Sequence, residues 1–373
     1  SGSMLVGYAK LPPGHLLRYD AEQDRLQVRP YWALPAGPPA AGDPEELAGR
    51  LEERLDAAVR RQLVADVPIG VLLSGGIDSS LVTAMAARHA TAPVQTVNVS
   101  FRGHAGFDEA PHARLVAGHF GTEHHELVAE PAGVAVLPEV AACVDEPLGD
   151  HAIVPMFQLA RLVAGEVKVA LGGDGGDEVF GGYPHHAFLQ RGRRLRRVLP
   201  AGVRGLVGTT AARVMPPGAR GRNHLAGLGG RGTSQVNVFF DAAWRRRLRG
   251  PAVAAGLGPV GPEERRAAVA ADEDDILRAA CATDFLTTLP DTYLVKVDRA
   301  AMAHSLEVRA PLLDREVVEF GFASVPSHLR ATARRTKILP KQLARRILPP
   351  GLDLERKQGF TMPLGAWFAG GDW

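Results

Sequence analysis

Much of what this chain can become is dictated by one string, Val71-Leu72-Leu73-Ser74-Gly75-Gly76-Ile77-Asp78-Ser79-Ser80. The apolar run at 67–73 is short and bounded by glycine, which reads as a buried strand. It runs into a Ser-Gly-Gly loop, and a helical pattern follows over 79–89. Glycines let backbone N–H groups face inward at an anion. A helix N-terminus adds unpaired donors and partial positive charge. Ser74 and Ser79 can donate hydroxyl hydrogen bonds as well. Asp78 is the odd member, since an acid repels phosphate; it makes sense if Mg²⁺ sits between carboxylate and phosphates. The Walker pattern needs Gly-Lys-Ser/Thr at the loop's end, and no lysine stands there.

Downstream the pattern alternates. Strands are predicted at 94–101, 123–128 and 167–171, with helices at 109–120, 133–144 and 154–164. Such alternation implies an α/β fold, a parallel sheet with helices on both faces. The strand at 167–171 ends in Gly172-Gly173-Asp174-Gly175-Gly176-Asp177-Glu178, three carboxylates in a glycine-rich loop. Ligands of parallel α/β sheets bind at the carboxyl ends of the strands, so both loops are expected on one rim. Asp78 and Asp177 would then share the Mg²⁺ held by a triphosphate. Beyond Tyr183 the strand signal fades, and the second half reads as mostly helical. The charged string 289–314 reads as a helix turning into a loop, with Lys296, Asp298, Arg299, Glu307 and Arg309 in fold-holding ion pairs.

Composition bounds the rest. The 373 residues carry 23% charge and 46% hydrophobic content, which excludes a disordered or fibrous chain. Cys143 and Cys281 are too few for a disulfide scaffold or a four-cysteine zinc site, and they fit a reducing cytoplasm. There is no apolar run of membrane-spanning length and no secretory signal pattern. A net charge of +2 hides an asymmetry: residues 191–250 hold 14 Arg and one acid, Asp241, so the remainder is −11. This Arg-rich segment suggests RNA phosphate contacts. It offers few aromatics for base stacking, only Phe239, Phe240 and Trp244, which argues against nucleic acid. Arginine far outnumbers lysine, and of the six lysines Lys357, in Arg356-Lys357-Gln358-Gly359-Phe360, reads from the residues alone as a surface lysine, although beside a polyphosphate it could neutralise developing charge. Residues 16–19 and 26–29 flank a polar turn and predict a hairpin. A Pro/Gly/Ala-rich linker follows at 35–43.

Taken together the strings resemble the synthetase domain of glutamine-hydrolysing asparagine synthetases. These belong to the N-type ATP pyrophosphatases (PP-loop enzymes), as do β-lactam synthetases and lasso-peptide cyclases. The resemblance runs from about Asp66 to Trp367. It rests on Asp66-Val67-Pro68-Ile69-Gly70 before the Ser-Gly-Gly loop, Phe107-Asp108-Glu109, Gly121-Thr122-Glu123-His124-His125, Asp145-Glu146-Pro147, the acidic loop through Tyr183, the 296–314 string, and Lys357-Gln358-Gly359-Phe360.

The resemblance implies an adenine nucleotide α-hydrolase-like fold and an AMP-forming amide ligase. ATP and Mg²⁺ bind the loop, a carboxylate (aspartate's side chain in the family) is adenylated, and ammonia attacks the acyl adenylate. It places the nucleotide on Leu73, Ser74, Gly75, Gly76, Asp78, Ser79, Val99, Gly172 and Gly173, and Mg²⁺ on Asp78 and Asp177. Asp174 falls where the family has an acid linked to the intermediate, and Lys357 matches the lysine that stabilises the adenylation transition state. Residues 1–42 resemble the last hairpin of the glutaminase domain plus a linker, and 43–373 the synthetase domain. The N-terminal nucleophilic cysteine is missing, so no glutaminase activity is expected of this chain. A separate glutaminase, a second copy of the chain, free ammonia or an amine within the substrate are the nitrogen partners left open. The family continues with more helix after the lysine loop, which implies a chain cut at both ends. The segment Gly149-Asp150-His151-Ala152-Ile153-Val154-Pro155-Met156 lacks the small hydroxyl residues expected around an aspartate acceptor. Another acid, or an intramolecular amide, is therefore the alternative.

Overall fold

The computed structural model describes residues 3–40, 42–101, 108–129, 134–216, 219, 221–229, 242–250, 261–269 and 271–356. The predicted hairpin forms from β1 (His15–Asp20) and β2 (Arg25–Pro30), paired antiparallel. Helix α1 (Pro44–Gln62) begins where Asp43 accepts hydrogen bonds from the Glu45 and Glu46 amides at 2.9 and 3.3 Å, with Pro44 in the first turn. Its buried stripe Leu47, Leu51, Leu55, Ala58 and Val59 enters the largest core cluster. Each such leucine contributes about 1.5–3 kcal/mol by leaving water.

The winding continues through β3 (Ile69–Leu72), α2 (Ile77–His89), β4 (Gln95–Phe101), α3 (Ala110–Phe120) and β5 (Glu123–Ala129). Next come α4 (Val136–Ala142), α5 (Ile153–Val163), β6 (Val169–Leu171) and the short α6 (Gly176–Phe180). Every strand and helix predicted before Tyr183 is present, with bounds shifted by a few residues. The sheet is parallel throughout, in the order β5-β4-β3-β6-β7. The chain winds outward from β3 to β5 and then returns to the other side of β3 as β6. That reversal is a topological switch point, where the crevice for ligands opens.

The Arg-rich stretch contains α7 (Pro184–Val198), α8 (Ala201–Val214), α9 (Arg222–Gly229) and α10 (Ala242–Leu248). After α11 (Pro262–Val269) and α12 (Ile276–Thr283) the chain loosens into a ten-residue π-helix, Asp284–Tyr293, which holds Pro290. Helix α13 (Leu294–Met302) follows directly. The expected loop then supplies a fifth strand instead, β7 (Glu307–Arg309), parallel to β6 at the sheet edge. Three residues are too few to show a period, so pairing with β6 is what defines this strand. The expected ion pairs form here, Arg299 with Asp145 and Asp298, and Arg309 with Glu307. The chain closes on α14 (Arg315–Ser324), α15 (Ser327–Arg330) and α16 (Ile338–Ile347). Among the described residues no helix is long and apolar enough to cross a membrane.

Candidate active site

At the switch point a cavity of about 300 Å³ opens above the carboxyl ends of β3, β4 and β6, within the size range of small-molecule sites. Leu73, Ser74, Gly75, Gly76, Asp78 and Ser79 line it from the first loop, Val99 from β4, and Gly172, Gly173, Asp174 and Asp177 from the acidic loop. All the candidate nucleotide, metal and acid positions in the described residues thus face one space. Lys357 lies outside the described residues, as does Phe107.

The first loop is held on itself. Ser74 Oγ and Ser79 Oγ are 3.0 Å apart, the Gly76 amide donates to Ser74 Oγ at 3.3 Å, and Ser79 Oγ donates to the Gly76 carbonyl at 3.2 Å. Gly75 adopts φ +70°, and a Cβ there would meet the His112 and Ala113 backbone within 2.8 Å. Only glycine lets the start of α3 pack against the turn. Leu73 is pinned from both sides: its amide donates to Val97 O at 2.9 Å and its carbonyl accepts from Asn98 Nδ2 at 3.0 Å. Gly172 is likewise pinned, its amide donating to Arg309 O at 2.7 Å.

The sequence reading missed Lys337. Its ammonium lies between Asp78 and Asp177, 2.6 Å from Asp177 Oδ1 and hydrogen-bonded to Asp78 Oδ2, with the side chain only 8% exposed. Burial alone would lower its pKa, but the charges of Asp177 and Asp78 outweigh that and hold it above the ordinary lysine value. The two aspartates therefore converge as expected, but on a lysine. Its one clue in the sequence was that it is among six lysines in a chain built on arginine.

Lys296 also faces the cavity, beyond the fold-holding role expected of it. It pairs with Asp150 at 2.8 Å and stands 5.0 Å over the Tyr293 ring. The π-helix ends at Tyr293 and so sets where this lysine enters. Beside it Asp174 is half-buried, and loss of water raises its pKa against the pull of Lys296. On the opposite wall Glu109 is pushed up to about 7 by burial; Arg356 lowers it and Asp108 raises it further. Lys341, paired with Glu355 at 2.6 Å, and Arg356 add cations to this wall.

The arrangement is bipolar. One end offers glycine-loop amides, two aspartates and a lysine suited to a metal-bound polyphosphate. The other offers Asp174 and Lys296, the latter held by Asp150, and is suited to a small polar acceptor.

Comparison with known proteins agrees with this geometry. Residues 50–372 match the family model described as asparagine synthase. A protein named putative asparagine synthetase [glutamine-hydrolyzing] from Mycobacterium tuberculosis (strain ATCC 25618 / H37Rv) is 32% identical, over 98% of this chain and 56% of its own length. Asparagine synthetase [glutamine-hydrolyzing] 1 of Bacillus subtilis (strain 168) is 29% identical over 88% of this chain and 52% of its own. A putative asparagine synthetase [glutamine-hydrolyzing] 2 from Methanocaldococcus jannaschii is 30% identical over 79% and 56%. The chain spans about half the length of these relatives. With the family model matched over most of its residues, on a parallel sheet whose two loops meet at the switch point, this chain belongs to the asparagine synthase family.

Proposed function

We propose that the chain is an ATP-dependent, AMP-forming amide ligase that activates a carboxylate, with the aspartate side chain as first candidate. A carboxylate oxygen attacks the α-phosphorus of ATP, the bond to the β-phosphate bridging oxygen breaks, and pyrophosphate leaves. Ammonia then attacks the acyl carbon, AMP departs and a proton is lost. The observation that carries this reading is the convergence of Asp78, Asp177 and Lys337 between two glycine loops.

Asp78 and Asp177 direct two carboxylates at one point, a hard-oxygen donor set that fits Mg²⁺. When bound, that ion would neutralise charge on the pyrophosphate leaving group. Lys337, held beside both aspartates, would then be available to pair with a phosphate oxygen. The loop amides and the start of α2 orient the triphosphate, and Asp174 serves the acceptor end. Lys357 supplies the charge that stabilises adenylation.

Exchange of labelled pyrophosphate into ATP, screened over carboxylates with and without ammonia, tests this. Aspartate-dependent exchange is expected, with asparagine and AMP formed once ammonia is added and no asparagine from glutamine alone. Lys357→Ala should abolish exchange while leaving ATP binding; undiminished exchange refutes its role. A second reading, another acid or an intramolecular amide, is favoured by the apolar Met156, Leu159 and Val297 that line the cavity. Exchange with another carboxylate and none with aspartate selects it.

A further inference from the structure

The acceptor end of the cavity presents the ammonium of Lys296, and an ammonium on a four-carbon stem wanders unless something holds it. The Lys296 side chain is only 10% exposed. It carries three N–H donors and no acceptor. Asp150 Oδ2 takes one of them at 2.8 Å. The ammonium also stands 5.0 Å over the centre of the Tyr293 ring. A ring face attracts a cation through its π-electrons and shields it from water. A carboxylate and a ring together fix the nitrogen and leave it a donor for the cavity. Tyr293 itself is not among the residues that line that space, so its effect on a substrate would run through Lys296.

Tyr293 is backed in turn. Its ring lies 6.2 Å from that of Tyr183, with planes at 44°. The Tyr183 hydroxyl donates to Glu178 Oε1 at 2.5 Å, and Glu178 is buried. Both residues belong to the stretch that continues the acidic loop. That stretch grips the far end of the π-helix as well. His185 Nε2 is 2.6 Å and His186 Nε2 3.1 Å from Asp284 Oδ2, while Arg266 donates to Asp284 Oδ1 at 3.1 Å. The π-helix is therefore held at its first residue, Asp284, and at its last, Tyr293. Such a helix bonds residues five apart, where an α-helix bonds those four apart. Relaxation to an α-helix over these ten residues would turn Tyr293 away from Lys296.

We infer that Tyr293 is a positioning residue. It fixes the Lys296 ammonium at the acceptor end, where Lys296 pairs with an anionic group of the carboxylate substrate, and Tyr183 with Glu178 keeps the ring in place. The acceptor rests on the ligase reading above, whereas the contacts among these side chains stand independently of it.

The test uses the whole chain and two measurements. In pyrophosphate exchange, Tyr293→Leu should raise the KM for the carboxylate by about fivefold or more, and that for ATP by less than about twofold. Tyr293→Phe keeps the ring and should restore the KM. Lys296→Gln should raise the same KM, and adding Tyr293→Leu to it should change nothing further, because the ring acts only through the ammonium. Nuclear magnetic resonance of ¹³C-labelled lysine needs no reaction, and with six lysines the spectrum is simple. The Lys296 signal, identified by its loss in Lys296→Gln, should carry a ring-current shift that Tyr293→Leu abolishes and Tyr293→Phe keeps. Circular dichroism confirms that each variant is folded. A Lys296 signal with no ring-current shift in the unmodified protein overturns the inference without recourse to Tyr293→Leu. So does an unchanged carboxylate KM in folded Lys296→Gln, an equal rise in both KM values in Tyr293→Leu, or additive losses in the double variant. Absence of exchange from the unmodified protein with every carboxylate refutes the ligase reading instead, and the lysine signal still decides whether Tyr293 holds Lys296.

Discussion

Lys337 shares Asp78 and Asp177, and those two acids would repel each other at this spacing without a cation between them. Nucleotide-free protein is thus held ready by an internal charge that a metal and a phosphate can replace. Removing one member of a buried ion cluster leaves the others uncompensated, which costs about 3–5 kcal/mol. Both aspartates are about one-fifth exposed, so the low end applies. Lys337→Ala should therefore lower unfolding free energy by about 3 kcal/mol in urea titrations without Mg²⁺. Added Mg²⁺ should recover part of that loss, because it occupies the space between the same carboxylates. Glu109 behaves in the opposite sense. Its pKa rises from 4.5 in the unfolded chain to about 7 in the fold because burial disfavours the anion. The folded state then holds a proton that the unfolded state has released, so stability falls as pH rises from about 4.5 to about 7. Glu109→Gln removes that titration. Denaturation at pH 5 and pH 8 should show wild type losing stability relative to the variant at the higher pH.

At the scale of elements, β3 and β6 were legible because buried parallel strands are apolar runs cut off by glycine or polar loops, while β4 and the largely exposed edge strand β5 were legible from their place in the strand–helix alternation. The two glycine loops were legible for the same reason, since anion binding by backbone requires glycine where side chains would block it. Two elements and one residue were not. The strand β7 has three residues and exists by virtue of its neighbour. The π-helix follows α12 without a break and carries a proline, which reads as a helix end. Lys337, at φ +52° just before α16, looks like a surface residue until the chain folds back onto the acidic loop. Gly182 shows how tightly that return fits: a Cβ there would overlap the Asp177 carboxylate and the Lys337 side chain. Gly182→Ala should therefore displace the lysine from its aspartates while the sheet persists. Pyrophosphate exchange should fall more than tenfold, with far-UV circular dichroism unchanged.

For the molecule as a whole, the core is one body and the hairpin is an appendage. Leu17, Tyr19, Leu26 and Val28 share one face through the pairs Leu17–Val28 and Tyr19–Leu26 and are all more than 40% exposed, so that apolar hairpin face is not covered by the body. The firm attachments begin later. Trp32 Nε1 donates to Glu319 at 2.9 Å, and its ring packs against the main core cluster. Arg278 Nη2 donates to Pro35 O at 2.7 Å, and the Ala40 amide to Ala323 O at 3.0 Å. Upstream, Lys10 pairs with Glu146 at 3.1 Å, but the lysine is half exposed, and such surface pairs contribute at most about 1 kcal/mol. The segment before Trp32 thus adds little to the stability of the rest of the described chain and stands away from the cavity. A chain starting at Tyr31 should melt within about 2 °C of the full chain, since a loss under 1 kcal/mol shifts a domain of this size by little more. It should also exchange pyrophosphate at the same rate. A large drop in melting temperature would show that the hairpin is integral to the fold, and lost exchange at unchanged stability would place it in the reaction.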